Sequence, residues 1–277
     1  MDRPLPFILS IPHGGLAVPA EVADRLALAD EALFDESDAF SRELYGMAEA
    51  VLGEVTQDVA RTIVDLNRPP DELPPASDDG AIKTHTTSLQ LPVWREGAMP
   101  DGDLQRTLLE RYYYPYHRRL GALLETHRSE VRLLIDCHTM RAVGPPAAMD
   151  AGTRRPLICL GNQPKDPDSQ DRRITSAPHL ILERLRAILA DVLADEITEA
   201  GQAEPITLNR PYPGGYITGR YAAKGFGVVQ IELSKALYLQ PPWFDPSRRT
   251  LDEGHLKALN AKLRTAFAEL AASPELS

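Results

Sequence analysis

The chain is 277 residues long and 43% hydrophobic, enough apolar material for one large α/β domain with a sizeable core. Its 40 Asp and Glu against 30 Lys and Arg give a formal charge of -10, which argues against a non-specific nucleic-acid or anionic-membrane binder; a small anionic partner held by a local arginine cluster stays admissible. Two cysteines, Cys137 and Cys159, are too few for a disulfide scaffold or a thiolate zinc site, and no run reaches the roughly 18 apolar residues of a membrane span, so a cytoplasmic protein is expected.

The first strand is expected at about 6–12, where Phe7-Ile8-Leu9-Ser10-Ile11-Pro12 runs into His13-Gly14-Gly15. Helical patterning follows over about 19–29 and again over 36–52, where Phe40, Leu44, Met47, Ala48 and Val51 approximate one apolar face and Gly53 permits a stop. Short strands are expected at 54–56 and 62–66, the latter ended by Asn67-Arg68-Pro69-Pro70, because proline restricts its own backbone and that of the residue before it. Residues 69–101, rich in Pro, Asp, Gly and Thr, read as a long excursion of the kind that is functional or disordered in a compact domain.

Helical periodicity returns over about 103–127, with a kink or break at Pro115. A second apolar strand at about 131–136 leads into Cys137-His138-Thr139, another lies around 157–160, and a helix near 177–201 stops at Gly201. Beyond the turn-rich segment 212–218 comes a buried strand at 227–233 that carries Glu232, then a C-terminal helix over about 247–272. This alternation predicts the α/β class: a single domain over 1–277 whose mixed, mostly parallel sheet is covered by helices on both faces.

Two apolar runs thus finish on histidines, His13 and His138, at the sheet edge where open α/β folds bind ligands. Each alone is equally a packed turn residue; two together suggest a shared metal, since neutral imidazole is the commonest metal ligand. A catalytic zinc ordinarily has three protein ligands and an open position. Asp38 is the candidate third, although Asp35, Glu36 or Ser37 competes with it for a helix N-terminal role. No His-Glu-x-x-His pattern is present. Asp136 offers a carboxylate to orient His138, against the alternation that turns strand neighbours to opposite faces.

Glu232 is bracketed by residues that favour burial, and a buried carboxylate beside a metal is a natural general base; a salt bridge at the sheet end is the alternative. Arg61, Asn67 and Arg68 together match a carboxylate ligand, through the guanidinium fork and a directional amide. Tyr216 and Arg220 are candidates to close over a substrate or simply to pack, and His85 lies in the long excursion as a further candidate to reach it.

Taken in order, Ser10-Ile11-Pro12-His13-Gly14-Gly15, Val64-Asp65-Leu66-Asn67-Arg68-Pro69-Pro70, Tyr114-Pro115-Tyr116-His117, Asp136-Cys137-His138-Thr139-Met140, Gly214-Gly215-Tyr216-Ile217-Thr218 and Gln230-Ile231-Glu232-Leu233 resemble the N-formylglutamate amidohydrolase family over about residues 7–240. The resemblance implies a zinc carboxypeptidase-like (phosphorylase/hydrolase-like) fold with one zinc ion on His13, Asp38 and His138. It also implies Glu232 as the base that activates water, Arg61 as the group polarising the scissile carbonyl, and Asn67-Arg68 as the grip on the substrate carboxylate. Where carboxypeptidase-like sites take a carboxylate three residues after the first histidine, this chain has Leu16, and Asp38 is the implied substitute. Arg42 and the Lys83-Thr84-His85-Thr86-Thr87 loop depart from the family pattern. The implied reaction is hydrolysis of a small anionic N-acyl amino acid, foremost N-formyl-L-glutamate to formate and L-glutamate. Its competitors are a deacylase or carboxypeptidase-like hydrolase of another acidic substrate, and a non-catalytic small-anion binder with structural histidines.

Overall fold

The computed structural model describes residues 3–163 and 175–276. Six strands form one sheet in the order β2-β1-β3-β6-β4-β5: β1 (Leu5–Ile11), β2 (Val51–Thr56), β3 (Leu133–Met140), β4 (Ile158–Gly161), β5 (Ile206–Leu208) and β6 (Val228–Ser234). All pairings are parallel except β4 with β6, so the sheet is mixed and mostly parallel, as expected. Two apolar clusters flank it. Phe7, Leu9, Ile135, Ile231 and Leu233 face one side and pack with α5 (His179–Val192) and α8 (Glu253–Ala271). Ile8, Leu134 and Val228 face the other, with Leu120 and Leu124 of α4 (Tyr114–Thr126) and Ile217 and Tyr221 of α7 (Tyr216–Ala222).

The alternation that makes this second face also builds the site. Along β1 the second face reads Ile8 then Ser10; along β3, Leu134, Asp136, His138; along β6, Val228, Gln230, Glu232. In register, Ser10 pairs with Asp136, Asp136 with Gln230 and His138 with Glu232. One face therefore changes from apolar to polar toward the carboxyl ends of the three central strands, where parallel sheets accept ligands.

Several expected elements differ. No helix forms over 19–29, because the backbone there is engaged with the excursion: Ala27 N donates to Val93 O at 2.8 Å and Arg95 N to Arg25 O at 2.8 Å. The expected 36–52 helix is instead α1 (Asp30–Glu36), a connection through Asp38, a short α2 (Ser41–Tyr45) and β2. Phe40, with φ 62, interrupts it in the left-handed region. The expected 62–66 strand is a tight turn, in which Ile63 N and Val64 N both donate to Ala60 O; its β-branched residues serve the second core, a reading that short apolar runs allow equally well.

The excursion 69–101 contains no helix or strand, yet Ala81, Ile82, Lys83, Val93 and Trp94 are buried in it. At Pro115 the expected break is a π-helical turn, Leu109–Tyr113, between α3 (Gly102–Leu108) and α4. The 177–201 helix divides at Leu193 into α5 and α6 (Ala194–Ala200), and Gly201 closes it at φ 59. Among the described residues, no helix is long and apolar enough to cross a membrane.

Candidate active site

His13 follows β1 by two residues, and its carbonyl accepts a hydrogen bond from Asp38 N at 3.0 Å. That contact, with the left-handed turn at Phe40, delivers the Asp38 carboxylate between the two histidines. Oδ2 of Asp38 lies 3.2 Å from His138 Nδ1 and 3.7 Å from His13 Nδ1, and the two rings are 5.0 Å apart. His138 is not beyond its strand but within it, because β3 continues to Met140. Asp35 and Glu36, the competing carboxylates, face Arg141 instead.

One ligand atom from each of His13, Asp38 and His138 falls within 4.8 Å of the others, and all three residues are buried. Two further observations test whether this donor set suits a divalent cation. His13 Nδ1 is buried without a hydrogen-bond partner. The other nitrogen of each ring faces a carboxylate: His13 Nε2 lies 2.9 Å from Asp65 Oδ1, and His138 Nε2 lies 3.2 Å from Asp136 Oδ1. Both rings are thereby oriented to offer Nδ1 to a common centre, the arrangement that metal-binding histidines adopt. Two imidazoles and one carboxylate suit zinc and leave room for a further ligand. Asp136 and His138 share a face because they are two positions apart, which resolves the objection from strand alternation.

Asp65 is fully buried and meets two cations: Oδ2 lies 3.1 Å from Arg61 Nη2 and 3.2 Å from Lys83 Nζ. Burial disfavours its charge, but Arg61, Lys83 and His13 together outweigh that and hold the carboxyl well below the usual range. Asp38 behaves likewise, burial being overcome by the adjacent His13 and His138 rings and by Arg61. His138 is pushed the other way; burial opposes its charge, while Asp136, Asp38 and Glu232 raise its pKa well above that of free imidazole.

Glu232, 7% exposed, stands opposite His138 across the ladder and accepts from Gln230 Nε2 at 2.9 Å. Burial pushes its carboxyl up to about 7, against the lowering effect of His138, with Asp38 adding to the rise. A carboxyl balanced near neutrality beside a cation site has the properties of a general base. Asp38, Arg61, Asn67, Arg68, His138 and Glu232 all line a cavity of about 720 Å³.

The remaining candidates divide. Asn67 lies 3.5 Å through Nδ2 from His138 Nε2, and its Oδ1 accepts from Ile217 N at 2.8 Å. Arg68 reaches the cavity with each nitrogen engaged once, Nε with Asp79 O at 3.0 Å, Nη1 with Asn67 O at 3.2 Å and Nη2 with Asp79 Oδ2 at 2.8 Å, which leaves the second proton of each Nη. Tyr216 and Arg220 do not line the cavity; Arg220 donates to the Tyr216 hydroxyl, and Tyr216 packs edge-on to His117 in the second core. His85 is also outside it, exposed on the excursion with Nδ1 at 2.9 Å from Thr84 Oγ1. Gly15 does not approach a ligand, because a Cβ there would lie 2.1 Å from Asp58 O: the glycine admits the neighbouring backbone.

Sequence reasoning did not single out Asp65 or Lys83. The signal available was the one that exposed Glu232, a charged residue inside an apolar run: Val64-Asp65-Leu66 and Ile82-Lys83.

An α/β protein with a buried two-histidine, one-aspartate cluster at the carboxyl edge of a mixed sheet is the class that fold and site define. The fold is shared with the crystal structure of N-formylglutamate amidohydrolase from Ralstonia eutropha JMP134, at TM-score 0.72 and 20% identity, covering 98% of this chain and 94% of that one. A more distant match, to a gene product of Agrobacterium tumefaciens, has TM-score 0.56 and 16% identity over 96% and 90% of the chains. In sequence, the chain is 28% identical over 242 residues to the N-formylglutamate deformylase of Pseudomonas putida and 29% identical over 247 residues to that of Pseudomonas aeruginosa; each alignment covers 85% of this chain and 82% of the relative. The profile of the N-formylglutamate amidohydrolase family matches residues 5–239, and the chain belongs to that family.

Proposed function

We propose that this protein is a zinc-dependent amidohydrolase of linear amides that converts N-formyl-L-glutamate to formate and L-glutamate. The observation that carries the reading is the buried His13–Asp38–His138 cluster, with the unpartnered Nδ1 of His13 turned into it and Glu232 alongside. Family membership and the names of the Pseudomonas relatives support the substrate.

His13, Asp38 and His138 would hold the ion. Zinc at such a site supplies Lewis acidity and lowers the pKa of water from about 15.7 toward about 7. Glu232 accepts the proton of the attacking water and returns it to the departing amine nitrogen, a transfer that a carboxyl near pKa 7 performs in both directions. Arg61, anchored on Asp38 and Asp65 and lining the cavity, stabilises the oxygen of the formyl group as it gains negative charge. Asn67 and the remaining Nη protons of Arg68 hold a carboxylate of the glutamate moiety and so fix the amide over the base. Tyr216 and Arg220 support the 214–216 turn from outside the cavity, and His85 takes no part.

The test is hydrolysis of N-formyl-L-glutamate, beside N-acetyl-L-glutamate and N-formyl-L-aspartate, by protein stripped with a chelator and then titrated with zinc. Turnover that disappears on stripping and returns near one equivalent supports the assignment. Turnover indifferent to metal removes the metal, and turnover of the N-acetyl compound alone replaces the substrate.

A further inference from the structure

N-formylglutamate carries two carboxylates, and the cations assigned so far account for one. Among the charged residues lining the cavity, Arg61, Arg68 and Arg155 are each hydrogen-bonded to a carboxylate of the protein, whereas Arg154 and Arg210 are exposed at its rim. Arg141 and Lys235 differ from both groups. Each is partly buried and lines the cavity, and neither makes a hydrogen bond to a carboxylate among the described residues.

Their placement is specific. Arg141 follows β3, and Lys235 follows β6, so both stand just beyond the strands that carry His138 and Glu232. Both donate to the same acceptor, the carbonyl of Asp35: Nη2 of Arg141 at 3.3 Å and Nζ of Lys235 at 3.1 Å. One carbonyl thus holds two cations side by side. Lys235 is anchored further by Ser37 O at 2.6 Å, and Arg141 by Ser88 Oγ at 3.1 Å through Nε. The neighbouring carboxylates stay beyond hydrogen-bond reach of Arg141, with Asp35 at 3.9 Å and Glu36 at 3.8 Å; Glu36 accepts from Ser88 N instead. An ammonium has three protons, two of which Lys235 gives to these carbonyls, and Nη1 of Arg141 makes no hydrogen bond among the described residues.

Thr139, between His138 and Arg141 in the chain, also lines the cavity, with its hydroxyl buried beside that of Tyr238. Thr139 N in turn donates to Asp38 Oδ2 at 3.2 Å, which ties this group to the cation site.

The geometry points to Arg141 and Lys235 as the subsite for the side-chain carboxylate of the substrate, and hence as the residues that select a formylated acidic amino acid over a neutral one. The inference rests on the proposed hydrolysis for its kinetic test. A charged pair of hydrogen bonds to a partly buried carboxylate discriminates against an isostere that lacks the charge by about 10- to 100-fold.

The experiment compares kcat/KM for N-formyl-L-glutamate and its uncharged isostere N-formyl-L-glutamine in zinc-loaded wild type, Arg141→Gln and Lys235→Met. Wild type should favour the glutamate compound, and each variant should reduce that preference by about 10- to 100-fold, chiefly through KM. A wild type without preference overturns the inference. So does a preference that survives in either variant, or equal slowing of both substrates, which would place the pair on the α-carboxylate shared by the two. A parallel measurement on stripped wild type compares the melting temperature with L-glutamate and with L-glutamine. If neither formyl compound is hydrolysed, the proposed reaction fails, and the subsite stands or falls on whether L-glutamate alone raises the melting temperature.

Discussion

Nε2 of His13 lies 2.9 Å from Oδ1 of Asp65, while Nδ1 of the same ring has no partner. The carboxylate decides which nitrogen carries the proton and which is free. Because Asp65 is itself held ionised by Arg61 and Lys83, the ring orientation depends on a chain of four charged or ionisable side chains, three of them buried and the fourth, Arg61, open to the cavity.

Replacing Asp65 by Asn should therefore weaken zinc binding by about 10- to 100-fold, since an amide can present its NH₂ to the ring and leave the tautomer unspecified. Competition with a chromogenic chelator measures this. Unaltered affinity would show that packing alone orients His13.

Glu232→Gln should bind zinc with nearly wild-type stoichiometry and lose about 100- to 10,000-fold in turnover, as expected for a general base. Metal analysis and steady-state kinetics on the same preparation separate the two effects. Metal loss in parallel with activity would recast Glu232 as a ligand.

The same residue gives two pH dependences. As a base it must be ionised, so kcat/KM should fall as pH drops through about 7, with a bound cation moving the limb lower. For stability the sign is opposite: a carboxyl raised in the folded state stabilises when protonated, and that contribution is lost as pH rises from about 4.5 through about 7. Stripped Glu232→Gln should consequently exceed stripped wild type in stability at pH 8 by up to about 3 kcal/mol, read from urea unfolding.

Gly215→Ala should damage catalysis without removing metal. A Cβ at 215 would stand 2.2 Å from Asn67 Nδ2, so the carboxamide must leave the cavity wall. A rise in KM for N-formyl-L-glutamate of about tenfold or more is expected, consistent with loss of a hydrogen bond to a charged group. A variant with wild-type KM would remove Asn67 from substrate binding.

His117 supplies an acid-sensitive element behind the 65–67 segment, outside the cavity lining. It is buried between Leu66 O and the Tyr221 hydroxyl, and burial pulls its pKa down to about 4, with Arg220 contributing. The unfolded chain takes up this proton first, so the stability tied to neutral His117 is complete above about 6.5 and lost as pH falls toward about 4. The urea midpoint should decline over that interval, and His117→Asn should flatten the decline by up to about 3 kcal/mol.

The central strands were legible because parallel strands buried on both faces are continuous apolar runs, and a histidine or glutamate within such a run is conspicuous. The segments around Asp38 and Asp65 depart from their sequence pattern for a common reason. Phe40 and Leu44 suit one face of a long helix, and Thr62-Ile63-Val64 suit a strand, but Leu44 meets the core from the short α2, and Phe40, Ile63 and Val64 meet it from turns. For Tyr216 and Arg220 the sequence leaves open closing over a substrate or packing, because side-chain direction there is set by the aromatic cluster around His117.

What the sequence determined by itself was the α/β class, the three central strands and the residues on one of their faces, because a two-residue period assigns each side chain to a side without reference to anything distant. Only the tertiary structure decided which charges meet: Asp38 between the two histidines, Asp65 behind His13, Lys83 from the excursion behind Asp65, and Arg141 beside Lys235 on one carbonyl. A local period says where a side chain points; the charge that answers it arrives from a segment whose position is set by packing of the whole core.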